Sequence, residues 1–460
     1  MKATQMNENE DQSSKISTDA TIGALIEQQR FSATQILVVA LVSAVLVLDG
    51  LNLQLLAYSL PAILTEWGVT KVQLSSAVGM TMIGMAIGAL FGGSLGDRWG
   101  RRPALLATIA LFAAMTLACG LAQNVTQLTV LRLLSGLGFG ACFPSAAALV
   151  AEWVPRRRIG LAVGIITVGV PLGGMAGAML TVLILPHWGW RGCFFAGGML
   201  PVLIGLAAFV LMPESPAWLS RRGEPGRPDL ERLARRAWGW TQPLAIDTPA
   251  PRPNGAQRSA GDRLLARANA RVNIGLWLAF FTNMLVANAI LAWGTAALSQ
   301  LNMPLASAVS AAIPYNIASM AMAVLASILS VRLGSRGLLI GLALAGAAGS
   351  ICAAIFSPMV ASGAMSPLPV LAGYIVIGGA MGGIQALLFA LAAHAYSTAY
   401  RSSGVGVGSA VGRIGGIVSG FGGGAILSVS STAPFFGLAG FCLLLVAAGA
   451  IVIDRHIQPR

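Results

Sequence analysis

Three ionisable side chains, Asp49, Arg132 and Arg413, stand alone inside long apolar stretches of this chain. A charge at the centre of a lipid-spanning helix costs roughly 2.5–3.5 kcal/mol on insertion scales, so such residues usually face a protein interior or a wet cavity. Asp49 sits in Leu48-Asp49-Gly50-Leu51-Asn52. Burial favours the neutral acid, whereas a neighbouring guanidinium favours the carboxylate. A carboxyl held between those two pulls can take up and release a proton. A static ion pair, or a cap on a broken helix, would use the same residue. Asn52 follows about one helical turn later and can share its face. Arg132 opens Arg132-Leu133-Leu134-Ser135-Gly136-Leu137-Gly138-Phe139-Gly140. Its planar guanidinium can grip a carboxylate through two parallel bonds. That carboxylate could be Asp49 or an acidic ligand; a snorkelling Arg near an interface is the alternative. Arg413 has the same options, closer to the end of its stretch.

A second cluster lies in Gly93-Ser94-Leu95-Gly96-Asp97-Arg98-Trp99-Gly100-Arg101-Arg102. Here a helix-ending carboxylate adjoins several guanidinium groups that can pair with neighbours. Two glycine ladders repeat every four residues: Gly84, Gly88, Gly92, Gly96 and Gly100, then Gly404, Gly408, Gly412, Gly416, Gly420 and Gly424. Bare helix faces permit close approach, and the two helices that carry them are expected to line the contact between two halves of the molecule. Static packing and sliding both fit that pattern. Pro171, amid further glycines, is expected to bend its helix.

The elements that must hold these groups are apolar helices. Of 460 residues, 56% are hydrophobic and 10% charged, with a mean hydropathy of +0.77. Soluble domains carry about a quarter charged residues, so lipid must cover much of this surface. Apolar runs of about 20 residues recur near 36–60, 73–96, 103–122, 127–151, 159–184, 190–212, 273–298, 307–331, 337–358, 367–394, 402–428 and 432–453. The fold class is therefore an all-α membrane protein of twelve transmembrane helices in two six-helix bundles. The expected organisation is a cytoplasmic tail over 1–35, a bundle over 36–212, an Arg- and Pro-rich cytoplasmic linker over 213–272, a second bundle over 273–454 and a tail over 455–460.

The formal charge is +13. Arg98, Arg101, Arg102, Arg156, Arg157, Arg158, the linker, Arg332, Arg336 and Arg401 fall on one side, with only Lys71 and Arg191 in the opposite loops. The positive-inside rule places the Arg-rich side and both termini in the cytoplasm. The basic residues flank apolar runs without a continuous patch, which argues against a nucleic-acid partner. Cys119, Cys142, Cys193, Cys352 and Cys442 lie in apolar segments without paired spacing and read as packing residues. No nucleophile–base set, metal cluster or phosphate loop suggests an enzyme or a cofactor.

The Gly93–Arg102 stretch, falling between the second and third runs, resembles the loop 2–3 signature of the major facilitator superfamily. Leu48-Asp49-Gly50-Leu51-Asn52, Pro213-Glu214-Ser215-Pro216-Ala217-Trp218-Leu219, His394 to Gly406 and Gly412-Arg413-Ile414-Gly415-Gly416 together resemble its aromatic acid:proton symporter family. The likeness covers about 36–220 and 273–454. It implies uptake of small aromatic carboxylates, hydroxybenzoate-like, with protons, through alternating access, by an expected monomer in the inner membrane of a bacterial cell. On matching positions it implies Asp49 for proton coupling, with Arg132, Trp293 and Arg413 beside Asn52 as substrate-binding residues. Asp97, Arg98, Arg101, Arg102, Glu152 and Arg401 would serve gating. Tyr58, Tyr315, Tyr374 and Phe389 are further aromatics, for which packing is the simpler role. The family usually has a second Asp where Asn52 stands, and Val331-Arg332-Leu333-Gly334-Ser335-Arg336 lacks the Asp of the repeated gate motif. A sugar or other organic-solute porter, a drug:proton antiporter and an aromatic-acid chemosensor remain as other readings.

Overall fold

A chain in lipid must satisfy every backbone polar group within itself, which selects helices. The computed structural model describes residues 21–28, 31–242, 244, 264–396, 401–429 and 431–458. The first twenty residues of the expected tail, Arg30, the linker residues Arg252, Arg258 and Arg263 and residues 397–400 lie outside that description.

Among the described residues eleven helices are long and apolar enough to cross a membrane. Span 1 is Ala33–Trp67, span 2 Lys71–Trp99, span 3 Arg101–Cys119 and span 4 Val125–Trp153. One helix, Ile159–Leu211, holds 53 residues. At 1.5 Å per residue it would run about 80 Å, against a hydrocarbon core of about 30 Å. It breaks at Gly189, whose φ of 64° is open to glycine, and so supplies spans 5 and 6. Span 7 is Ala270–Ser299, and span 8, Ala312–Leu333, follows the short helix Leu305–Ser310. Spans 9 to 12 are Ser335–Ala361, Leu368–Ala395, Arg401–Val429 and Thr432–Val452. Counting the broken helix twice gives twelve. Pro171 lies inside the helix with helical backbone angles, and the break in the chain direction falls at Gly189.

Local sequence explains several helix starts. Ser32 with Gln35 and Thr70 with Gln73 form capping boxes, and Asn124 caps span 4 through the Gln127 N–H. In the linker, Pro216–Arg221 and Arg227–Trp238 are short helices. The second is amphipathic, with Leu230, Leu233 and Ala234 buried on its inner face.

Helix pairing repeats between the two halves. Span 1 packs on the span 5–6 helix, span 2 on span 4, and span 3 on spans 4 and 6. Correspondingly, span 7 packs on spans 11 and 12, span 8 on span 10, and span 9 on spans 10 and 12. Between the halves, span 1 meets span 7, span 2 meets span 11, and the span 5–6 helix meets span 8.

Spans 2 and 11, the helices that carry the glycine ladders, meet across the halves as expected, while the ladder faces themselves divide between contacts within and across the halves. A methyl group on Gly84, Gly88 or Gly92 would strike backbone of Leu133, Leu137 or Ala141 in span 4, inside the first half. One on Gly408 or Gly412 would meet Phe280 or Met284 of span 7, inside the second. Only near the Lys71 end does a ladder reach across. A Cβ on Gly420 would lie 2.9 Å from Gly79 Cα, and one on Gly424 would lie 2.7 Å from the Lys71 carbonyl. A four-residue spacing encodes a bare face without saying which helix occupies it.

Candidate functional site

Asp49 and Asn52 lie near the middle of span 1, 5% and 0% exposed, and Arg132 on span 4 is fully buried. Asn52 donates its Nδ2–H to the Leu48 carbonyl at 2.9 Å, one turn back. Arg132 donates from Nη1 to the Asn52 carbonyl at 3.4 Å, and its guanidinium sits over the Phe194 ring, 5.0 Å from the centroid. Gly197 on span 6 leaves room beside Asn52: a Cβ there would sit 3.4 Å from Asn52 Oδ1.

Those contacts leave much unfilled. Asp49 Oδ1, Asn52 Oδ1, Arg132 Nε and Arg132 Nη2 are buried without a hydrogen-bond partner. Among the described residues no ion pair joins Asp49 to Arg132. Of the two partners considered for Arg132, the Asp49 carboxylate is thus not in contact in this conformation. A buried cation resting on a carbonyl and an aromatic face is short of what burying a charge requires. Its free Nε and Nη2 are donors of the kind that take a carboxylate bidentately.

The other expected binding residues lie apart from this group. Trp293 on span 7 is fully buried; its indole N–H donates to the Gly420 carbonyl at 3.2 Å, and its ring fills the space beside Gly423 and Gly424. It plugs span 7 against span 11 and presents no open face for a ligand ring. Arg413 donates to the Met85 carbonyl of span 2 at 3.3 Å, across the halves. Among the further aromatics, Tyr315 and Tyr374 pack 5.0 Å apart, and Phe389 packs edge-on against Phe280. Tyr58 joins Val309 and Ala312 in a cluster that bridges the halves and donates its hydroxyl to Gln54 at 2.6 Å.

The inter-half hydrogen bonds follow a pattern. Lys71 Nζ donates to the Leu427 carbonyl at 3.0 Å, near one end, and the Arg413–Met85 bond lies near mid-helix. Beyond Arg413, toward Trp99 and Arg401, no hydrogen bond crosses between halves among the described residues. Between the halves, Gln54, Thr81, Asn288 and apolar neighbours enclose a cavity of about 30 Å³. Water fits such a space, but a benzene ring needs roughly 150 Å³. The halves are closed from the Lys71 end to the middle.

At the opposite end, two guanidinium groups converge on two carboxylates. Arg101 reaches Asp97 at 2.7 Å and Glu152 at 3.0 Å, and Arg221 reaches Asp97 at 3.6 Å and Glu152 at 3.5 Å. Ser215 Oγ also donates to Glu152. The Arg102 backbone N–H donates to Glu214 at 3.0 Å, and the Arg102 guanidinium lies over the Phe209 ring. Burial holds the Glu214 carboxyl above its usual range, against hydrogen bonds from Ser215, Arg102 and Arg101 and the Arg102 charge, which lower it. This network ties spans 2, 3 and 4 to the linker helix and stays within the first half. Arg98 is exposed and forms no ion pair among the described residues. Arg401, in the second half, donates to the Tyr396 carbonyl at 3.5 Å.

Arg221, Glu214 and Ser215 have a place in this network that the sequence reading did not assign. The Pro213–Leu219 motif held the signal, since Ser215 caps the helix that carries Arg221. In the second half, where the matching Asp is absent, the C-terminal segment takes its place. Ser335 Oγ meets His456 Nδ1 at 3.2 Å and accepts from the Ile457 N–H at 2.9 Å, and His456 Nε2 meets the Ala450 carbonyl at 3.0 Å.

A sequence model described as the Major Facilitator Superfamily matches residues 42–420. A gallate transporter of Pseudomonas putida is 29% identical over 442 residues, covering 95% of each chain. The 4-hydroxybenzoate transporter PcaK of Acinetobacter baylyi is 26% identical over 433 residues, covering 94% of this chain and 93% of that one. Among solved structures, the inward-open xylose transporter XylE of E. coli superimposes with a TM-score of 0.73 at 16% identity, covering 92% of this chain and 97% of that one. At that identity the likeness is one of fold.

Proposed function

The chain belongs to the major facilitator superfamily, and on that premise we propose that it takes up small aromatic carboxylates, hydroxybenzoate-like, by proton symport with alternating access. The observation that carries this reading is Arg132: fully buried, with Nε and Nη2 unfilled and, among the described residues, no carboxylate in ion-pair contact with it. A neutral sugar would leave that charge uncompensated; a benzoate-type anion answers it. The gallate and 4-hydroxybenzoate transport of the relatives supports the same class.

Asp49 is the proton carrier in this mechanism. Its Oδ1 has no partner in the present conformation, an arrangement that suits the neutral acid more than the carboxylate. Proton and substrate load together from one side, the halves rock, and both leave on the other. With Asn52 in place of a second acid, Asp49 is the carboxyl at the middle of span 1 left for coupling, since Glu66 lies at the helix end and pairs with Arg191.

In this reading the Asp97–Arg101–Glu152 end, the linker and both termini lie in the cytoplasm of a bacterial cell, with the protein in its inner membrane, which the Arg-rich loops support. The closed Lys71 end then faces outward, and the conformation is inward-facing. The ion network becomes the cytoplasmic brace of the first half and Arg413 a link between halves at mid-depth. The test is uptake of labelled 4-hydroxybenzoate, with and without a protonophore, against labelled xylose. Protonophore-sensitive uptake of the aromatic acid alone is expected; uptake of xylose alone would replace this reading with a sugar porter.

A further inference from the structure

Span 7 carries the amides Asn283 and Asn288 near mid-depth, and span 10 carries Gln385; Asn288 bonds the Met284 carbonyl of its own helix, whereas Asn283 faces Gln385. Asn283 is fully buried and donates from Nδ2 to Gln385 Oε1 at 2.7 Å. The bond uses one end of each amide. Asn283 Oδ1 and Gln385 Nε2 remain buried with no partner. One is an acceptor and the other a donor.

This complementarity survives any ambiguity in amide orientation. Flipping both side chains reverses the bond and again leaves one oxygen and one nitrogen free. Such a pair matches a group that donates and accepts at one atom, namely a hydroxyl: its O–H can be received by the Asn oxygen while its lone pair receives the Gln N–H. A purely structural amide bridge gains nothing from two buried orphans, each of which carries a desolvation cost. A ligand that fills both recovers it.

Resting on the aromatic-acid reading above, we infer that the Asn283–Gln385 pair reads a ring hydroxyl of the transported acid. The carboxylate is held from the first half by Arg132, and the hydroxyl is read from the second. Asn52 and Asn283 both lie close to the middle of their helices, and spans 1 and 7 pack together. A site built to bond a hydroxyl discriminates strongly against the analogue that lacks it, because its own polar atoms are then left unpaired.

The experiment uses purified full-length protein in proteoliposomes, with labelled 4-hydroxybenzoate uptake competed by unlabelled 4-hydroxybenzoate or benzoate. Wild type should favour the hydroxylated competitor by about tenfold or more, the usual effect of one buried bonded group. Gln385→Met and Asn283→Leu should each reduce that preference to within about threefold, by weakening 4-hydroxybenzoate while benzoate changes little. Two variants on different helices guard against one failing to insert, and the wild-type ratio decides if both fail. Equal competition by the two acids in wild type, or an undiminished preference in both variants, would overturn the inference while leaving aromatic-acid transport intact. Absence of labelled 4-hydroxybenzoate uptake by wild type would instead remove the reading on which it rests.

Discussion

Replacing Gly420 with Ala should push the transporter away from the conformation seen here. A Cβ at that position would lie 2.9 Å from Gly79 Cα and 3.1 Å from Gly79 N. Carbon contacts are comfortable at about 3.5–4.0 Å, so spans 2 and 11 must part by about 0.6–1.1 Å. Both obstructing atoms are backbone, and no side-chain rotation can relieve them. Overpacking of this kind costs about 1–3 kcal/mol, and because it arises only where the halves touch, it becomes a conformational shift of about 5–150-fold. Ala292 lines the inter-half cavity, so Ala292→Cys, in a chain with its five native cysteines replaced, reports access from the Lys71 side. A membrane-impermeant maleimide applied to intact cells should label it faster by that factor in the Gly420→Ala background. The control is Gly88→Ala, whose methyl group would strike the Leu137 carbonyl inside the first half. It should lower the yield of folded protein and leave the labelling rate of what folds unchanged. Unchanged labelling with Gly420→Ala, or faster labelling with Gly88→Ala, would refute this account of where the halves meet.

Three further outcomes follow from the geometry. Glu152→Gln strips the Arg101 guanidinium, 9% exposed, of its better-buried partner; a loss of about 1–3 kcal/mol, between exposed and buried pairs, should lower the thermal midpoint in detergent. Asp97→Asn should cost less, since that carboxylate is 53% exposed. Arg132→Lys keeps the charge and loses the two-pronged grip, so apparent affinity for 4-hydroxybenzoate should fall about 10–100-fold in a transport titration, an effect of the size of one charge-assisted bond. Burial holds His456 below its ordinary value of 6.5, with Arg336 acting in the same direction and backbone carbonyls and Asp454 opposing. The folded state therefore favours the neutral ring. Its contribution is present above about pH 6.5 and is lost as pH falls through the lower folded value. Hydrogen exchange of residues 455–458 should accelerate over that window, and His456→Gln should remove the pH dependence.

The twelve spans were legible because lipid demands length and apolarity together, and both are local properties. The break between spans 5 and 6 was legible as a gap in hydropathy, but its hinge at Gly189 was visible only in backbone angles. The ladders show where sequence reading stops. Gly88 and Gly420 look alike as members of four-residue repeats, yet one faces span 4 of its own half and the other faces span 2 across the interface. The intramembrane charges were easy to find, since each is costly enough to stand out. The partner of each was not, because partners come from other helices: Arg132 rests on the Asn52 carbonyl and Phe194, not on Asp49. Asn283 and Gln385 carry no charge and, unlike Asn52, have no ionisable neighbour one turn away to mark them, although an unpaired amide in an apolar span is also costly. Trp293 was expected from the resemblance as a substrate-binding residue, whereas its place as a wedge against Gly423 and Gly424 depends on the fold of span 11 and could not be read from the sequence.

Coupling through Asp49 is tested most directly by separating exchange from accumulation in one preparation. Proteoliposomes carrying wild-type protein or Asp49→Asn would be loaded with unlabelled 4-hydroxybenzoate for counterflow, or left empty under an imposed inward proton gradient. Wild type should do both, whereas the variant should exchange the acid across the membrane without concentrating it. Uphill accumulation by Asp49→Asn at the wild-type level would contradict the mechanism.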